Sequence, residues 1–184
     1  ILIGLVGSEM CIRDRLFPSP VFQFKIENHE EINKQLIEYI YGLKKEDDQG
    51  IKRSNVNGWH SKNFKIEKDN VPYNFIKSIH GHIKEVIVDG FGWKYVPDKV
   101  GITEIWSIIN KKGTFNTSHN HPGSYLSAAY YVKAPNECGN IHFFDPNEIK
   151  KFNSPAIEKP TELSTSGFSI KPEAVSYTHL RAHE

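Results

Sequence analysis

The sequence predicts an α+β fold, mainly β: a jelly-roll, or double-stranded β-helix, carried by two supporting helices. Three observations lead there. Two early stretches place apolar residues at helical spacing. From Gly101 onward, short aromatic and β-branched runs alternate with Gly, Pro, Asn and Asp turn signals. No repeat or second apolar block follows, and 184 residues suffice for one domain with a sizeable core. Short strands after two helices are the pattern of a packed β-shell with helices on one face.

Taken in order, Phe17-Pro18-Ser19-Pro20 leads into an alternating strand over Val21–Ile26. Asn28, with Glu31 three residues on, reads as a helix cap. Ile32, Leu36, Ile37 and Ile40 then mark one face, with a stop near Gly42 and a charged loop over 44–50. Ser54 to Ser61 (SNVNGWHS) reads as a turn around Asn55, Asn57 and Gly58 with Trp59 as a core anchor. The functional alternative has Trp59 and His60 lining a pocket. Val71, Phe75, Ile76, Ile79, Ile83, Val86 and Ile87 mark a second helix, with Pro72 in its first turn and Gly90 as its stop. His80 and His82, two apart on a helix, point to different faces and are expected to be solvated.

Strands follow over 101–110, 114–121, 125–132 and 139–144, with another starting over 167–170. The turn Lys111-Lys112-Gly113 separates the first two, and Asp145-Pro146 ends the fourth. Residues 147–166 hold few apolar side chains and two prolines, a long surface loop of the kind that often serves as a lid.

Bulk numbers narrow the function. Hydrophobic residues make up 38%, charged residues 24%, and the formal net charge is +1, with no basic stripe. That composition belongs to a globular protein and excludes a dedicated nucleic-acid surface. Only Cys11 and Cys138 are present, without metal-type spacing, so a disulfide framework is not expected and the default setting is cytoplasmic. The apolar start Ile1–Gly7 is too short to span a bilayer, so no membrane partner is expected. Oligomeric state is open, although an unfinished sheet offers an edge for self-association.

The two ends read differently from the middle. Residues 1–15 (ILIGLVGSEMCIRDR) and 175–184 (VSYTHLRAHE) resemble translated sequencing-adapter text of the kind found on metagenomic fragments. Of the 4 Arg, Arg13, Arg15 and Arg181 lie in these ends, while all 19 Lys lie between them. Both ends are therefore set apart from fold reasoning, and residues 16–174 are taken as the domain.

The chemistry centres on His119-Asn120-His121. On a strand, residues i and i+2 share a face, so two imidazoles can bind one metal ion side by side. Imidazole suits iron, zinc, copper and nickel. Trp106 reads as a core anchor or, functionally, as a pocket wall. The face of Tyr125, Ser127, Ala129 and Tyr131 alternates hydroxyls with small groups, which suits either a wall beside a small ligand or ordinary sandwich core.

The combination resembles the iron(II)- and 2-oxoglutarate-dependent oxygenase superfamily. It resembles most closely a largely uncharacterised group with a Trp-bearing strand, H-x-H-P, a Leu-Ser-x-x-Tyr-Tyr-Val strand, a Gly and an Asp-Pro. Here these are Trp106, His119–Pro122, Leu126–Val132, Gly139 and Asp145-Pro146, and Ser54–Ser61 matches the group's S-N-x-x-G-W-x-S. The resemblance covers Leu16 to Ala174. It implies Fe(II) held by His119 and His121, 2-oxoglutarate as co-substrate, and hydroxylation of a small molecule or a protein side chain. It places Trp106, Ser127 and Tyr131 as candidate co-substrate contacts.

Two departures from the family pattern stand out. His121 replaces the usual Asp, so either three His ligands serve or a carboxylate comes from elsewhere, Asp145 being the nearest candidate. The distal His and the basic anchor of the family are also missing. Ala174 would meet the family's strand-opening Gly, but adapter-like Val175 follows instead, and His179 and His183 lie in adapter-like text. The resemblance therefore implies a fragment cut before its third ligand and inactive by itself. An alternative is a cupin, since Gly113 to His121 gives G-x5-H-x-H. Cupins want a Glu four or five residues later, where Tyr125 and Leu126 stand. Such a protein would be an isomerase, a dioxygenase independent of 2-oxoglutarate, or a sugar- or metal-binding module. A third reading is a jelly-roll binding protein whose His pair holds nothing.

Overall fold

The computed structural model describes residues 19–27, 29–146, 152, 155–161 and 164–173, and the backbone of 176–181. The order of elements is β1 (Val21–Lys25), α1 (His29–Glu46), β2 (Asn55–Val56), β3 (Trp59–His60), α2 (Val71–Glu85), β4 (Ile108–Ile109), β5 (Phe115–Asn116), β6 (Leu126–Tyr130), β7 (Ile141–Phe144), β8 (Gly167–Ile170) and β9 (Ser176–Arg181). The α+β class with short antiparallel strands and two helices is as expected. The pairings are one three-stranded sheet, β1-β9-β6, and three two-stranded ladders, β2-β5, β3-β4 and β7-β8. Among the described residues these ladders do not join into a closed jelly-roll.

The two helices cover one face of the sheet, as their apolar stripes require. Ile26, Leu36, Phe75 and Ile79 are buried together, with Phe24, Ile32, Ile40, Ile83 and Tyr130 packed around them. Each such side chain stabilises by about 1.5–3 kcal/mol when withdrawn from water. Asn33 is the polar exception on α1. Its Oδ1 accepts from the Tyr130 hydroxyl at 2.6 Å and its Nδ2 donates to Val132 O at 3.3 Å, which stitches α1 to β6.

Helix ends differ from expectation in physically simple ways. The expected Asn28 cap lies outside the described residues. α1 runs through Gly42 to Glu46, and a Cβ at Gly42 would meet nothing within 4 Å. A helical glycine costs only about 1 kcal/mol, and the last turn has its own anchor: the Trp59 indole N–H donates to Asp47 O at 2.8 Å, with the Lys44 ammonium 5.2 Å from its ring. Trp59 is thus the core anchor the sequence suggests. α2 begins at Val71 with Pro72 in its first turn, and the Asn70 side chain accepts from Tyr73 N–H. It passes at Val86 into a π-turn that ends at Gly90.

His82 is not the solvated residue expected: its ring stacks on Phe24 at 4.7 Å and 18°. His80 is exposed and bonds the Tyr95 hydroxyl at 2.6 Å.

The β-rich half is more fragmented than its alternation suggests. The strands expected over 101–110 and 114–121 reduce to two-residue ladders, β4 and β5. Their neighbours stay extended and bond singly, as in Phe64 N–H to Ile105 O (2.8 Å) and Ser61 N–H to Ser107 O (3.0 Å). The first strand ends at Lys25, the one expected over 125–132 spans Leu126–Tyr130, and the one expected over 139–144 begins at Ile141. Part of the 147–166 loop lies outside the described residues, and its described residues 155–161 are exposed.

Residues 176–181, set apart in the sequence reading, take a position between β1 and β6. Main-chain N–H and C=O groups carry that pairing, and any extended segment supplies them. His183 lies outside the described residues. Among the described residues no helix is long and apolar enough to cross a membrane.

Candidate metal centre

The segment Ser54–Ser61 organises the site. Its first half, β2, pairs with β5, and its second half, β3, pairs with β4. Between them Asn57 adopts φ 58° and the chain turns at Gly58, where a Cβ would run into the Asn110 side-chain oxygen. Asn55 closes the turn by donating to Gly58 O at 2.7 Å. One turn therefore holds two neighbours: the strand that leads to His119 and the strand that carries Trp106.

The first neighbour is fixed through the peptide of Thr117. Its N–H donates to Ser54 O at 2.8 Å, and its carbonyl accepts from His119 Nδ1 at 2.8 Å. A carbonyl only accepts, so Nδ1 carries a proton, and in the neutral ring the lone pair is then on Nε2. That is the arrangement that orients an imidazole as a metal ligand.

His119 and His121 lie beyond β5, outside any strand, and their rings come together with centroids 4.9 Å apart and planes at 73°. With metal–nitrogen bonds of about 2.1 Å, two imidazoles meeting one ion at roughly a right angle lie about 4.5–5 Å apart between ring centres. The observed 4.9 Å lies in that range. His119 is exposed and His121 half-buried, so the pair is backed on one side and open to solvent on the other.

Electrostatics favour the neutral form of His121. Burial, then the neighbouring His119, hold its pKa below the usual imidazole range, while Glu104 acts in the opposite direction. His60 is lowered as well, chiefly by burial. Its Nδ1 donates to Ser61 O at 2.6 Å. Its ring stacks on Trp106 at 5.7 Å and 13°, and Trp106 in turn lies 5.8 Å from His121.

Of the residues picked from sequence, His119, His121 and Trp106 come together. Tyr130 packs on Phe75 at 4.9 Å and bonds Asn33, so its face of β6 looks toward the helices. Ser127 and Tyr131 belong to the opposite face. Burial, with the Cys138 thiol beside it, pushes the Tyr131 hydroxyl up to about 12. Asp145 follows β7, where its N–H donates to Ser166 O at 2.9 Å and helps close the β7–β8 pair.

Glu104, near the pair, went unassigned in the sequence; it shares the alternation of Trp106, which was the available signal. His60 was named only as a possible pocket wall beside Trp59. Among the described residues no three His, Cys, Asp or Glu side chains gather as a metal-holding group, so the geometry supplies two donors.

Comparison with known proteins agrees with the resemblance read from sequence. Residues 104–176 match the family described as "Putative 2OG-Fe(II) oxygenase". That stretch includes Glu104, Trp106 and the histidine pair. No curated protein matches the chain.

Proposed function

We propose, from a segment similar to that oxygenase family, that His119 and His121 are two ligands of an iron(II) centre. The activity proposed is 2-oxoglutarate-dependent oxidation, most simply hydroxylation, of a small molecule or a protein side chain. The observation that carries the reading is the pairing of His119 and His121 at 4.9 Å, with His119 Nδ1 already committed to Thr117 O. The bound ion would supply the oxygen chemistry, coupled to decarboxylation of 2-oxoglutarate.

The residues of this chain do the rest. His119 presents Nε2 without rearrangement. Burial favours the neutral form of His121, the form a ligand must take. Trp106 shields the back of His121, which leaves the solvent side of the pair for co-substrate and substrate. Ser127 and Tyr131 are proposed as polar contacts for the co-substrate. The high pKa of Tyr131 keeps its hydroxyl a neutral hydrogen-bond donor at physiological pH. The third ligand and the anchor for the far carboxylate are proposed to come from the part of the family pattern that residues 16–174 do not contain, and the domain without them is proposed to be inactive. A jelly-roll enclosure is proposed for the complete domain.

The test is iron(II)-dependent consumption of 2-oxoglutarate by the full-length parent protein, with succinate as the product measured. His119→Ala should abolish both consumption and iron binding. Iron binding without any response to 2-oxoglutarate would overturn the oxygenase reading.

A further inference from the structure

An imidazole in place of a carboxylate raises a geometric problem at His121. A carboxylate reaches an ion through either of two equivalent oxygens, whereas a neutral imidazole offers one lone pair in one direction. His119 meets this requirement with its bond to Thr117 O. Among the described residues His121 makes no side-chain hydrogen bond. What it has is a ring contact: Trp106, centroid 5.8 Å away and tilted by 34°.

Trp106 is itself held from behind. His60 lies nearly parallel to it at 5.7 Å and is only 5% exposed. The His60 ring cannot turn freely, because Nδ1 is bonded to Ser61 O at 2.6 Å. The backbone beneath is stitched by Ser61 N–H to Ser107 O at 3.0 Å and Ser107 N–H to the Ser61 hydroxyl at 2.9 Å. Four rings thus form a column, His60–Trp106–His121–His119, with a hydrogen bond at each end and only packing in the middle.

We infer that His60 is a positioning residue for the metal site, acting through Trp106 to hold the His121 ring plane in its ligating orientation. The inference rests on the reading of the histidine pair as a metal centre. His60 contributes no lone pair to the ion: it fixes the wall against which a ligand leans. Loss of residues that orient ligands typically weakens metal binding by about 10–100-fold.

The experiment titrates the chain with cobalt(II) alone, read by its d–d absorption and by quenching of tryptophan fluorescence. His60→Ala should weaken binding by about 10–100-fold and change the d–d band as His121 loosens. His60→Phe restores a flat ring without the bond to Ser61 O and should recover affinity to within about threefold. His60→Ala affinity equal to wild type, or His60→Phe as weak as His60→Ala, overturns the positioning role while the metal site stands. Absence of cobalt binding by the wild-type chain, or unchanged binding in His119→Ala, overturns this inference, and unchanged binding in His119→Ala overturns the metal reading with it. If His60→Ala fails to fold by circular dichroism, Trp106→Leu replaces it: binding retained in Trp106→Leu overturns the role, and binding lost there but kept in His60→Phe supports it.

Discussion

In one region of the molecule Ile26, just past β1, Leu36 of α1, and Phe75 and Ile79 of α2 exclude water and interlock. In the other, His119 is exposed, His121 half-buried, and the ladders around them are two residues long. The helical side is held by withdrawn apolar surface, which tolerates little loss of volume. The histidine side is held by single hydrogen bonds and stacked rings, which fix direction more than they supply stability. The contrast separates two tasks: the first region decides whether the chain folds, and the second decides where two nitrogens point.

That separation can be broken or sharpened by substitution. The largest effect is expected for Leu36→Ala, which should cost about 2–5 kcal/mol in denaturant unfolding. Metal affinity should be unchanged wherever the chain is still folded. A parallel fall in affinity would break the contrast. Next, His119→Ala should remove metal binding in a titration yet shift unfolding by no more than about 0.5 kcal/mol, since the residue is exposed.

Tyr130→Phe tests the seam between the two regions. It removes the 2.6 Å bond to Asn33 and should cost about 1–2 kcal/mol in unfolding. Smallest at neutral pH is Tyr131→Phe. The folded-state pKa of Tyr131 is raised to about 12, chiefly by burial, from the ordinary tyrosine value of 10.0. Between those values the unfolded chain loses its proton first, so stability present below pH 10 should decline as pH rises toward 12. The phenylalanine variant should flatten that decline, and a slope unchanged from wild type would show that Tyr131 is not the group responsible.

The sequence made the helical side legible because a stripe such as Leu36, Phe75 and Ile79 is written at one period and packs against another stripe. It located Trp59 and the histidine pair for similar reasons of local spacing. It overstated the strands around 101–121, because alternation records which way side chains face and not whether a partner strand lies alongside. His82 was misplaced because no local pattern announces that Phe24, 58 positions earlier, will lie under its ring. His60 was named as a possible pocket wall, but its stacking on Trp106 was not legible for the same reason: Trp106 comes from a distant stretch, and the β3–β4 pairing brings the two rings together.

The turn at Asn57-Gly58 feeds two ladders at once. An inserted residue there would have to be absorbed by slipping one ladder against the other, and a slip by a single position exchanges the two faces of a strand. Trp59 would then point where His60 does now, and the indole would lose its backing. The length of this short turn therefore works as a gauge for the spacing of rings far along the chain.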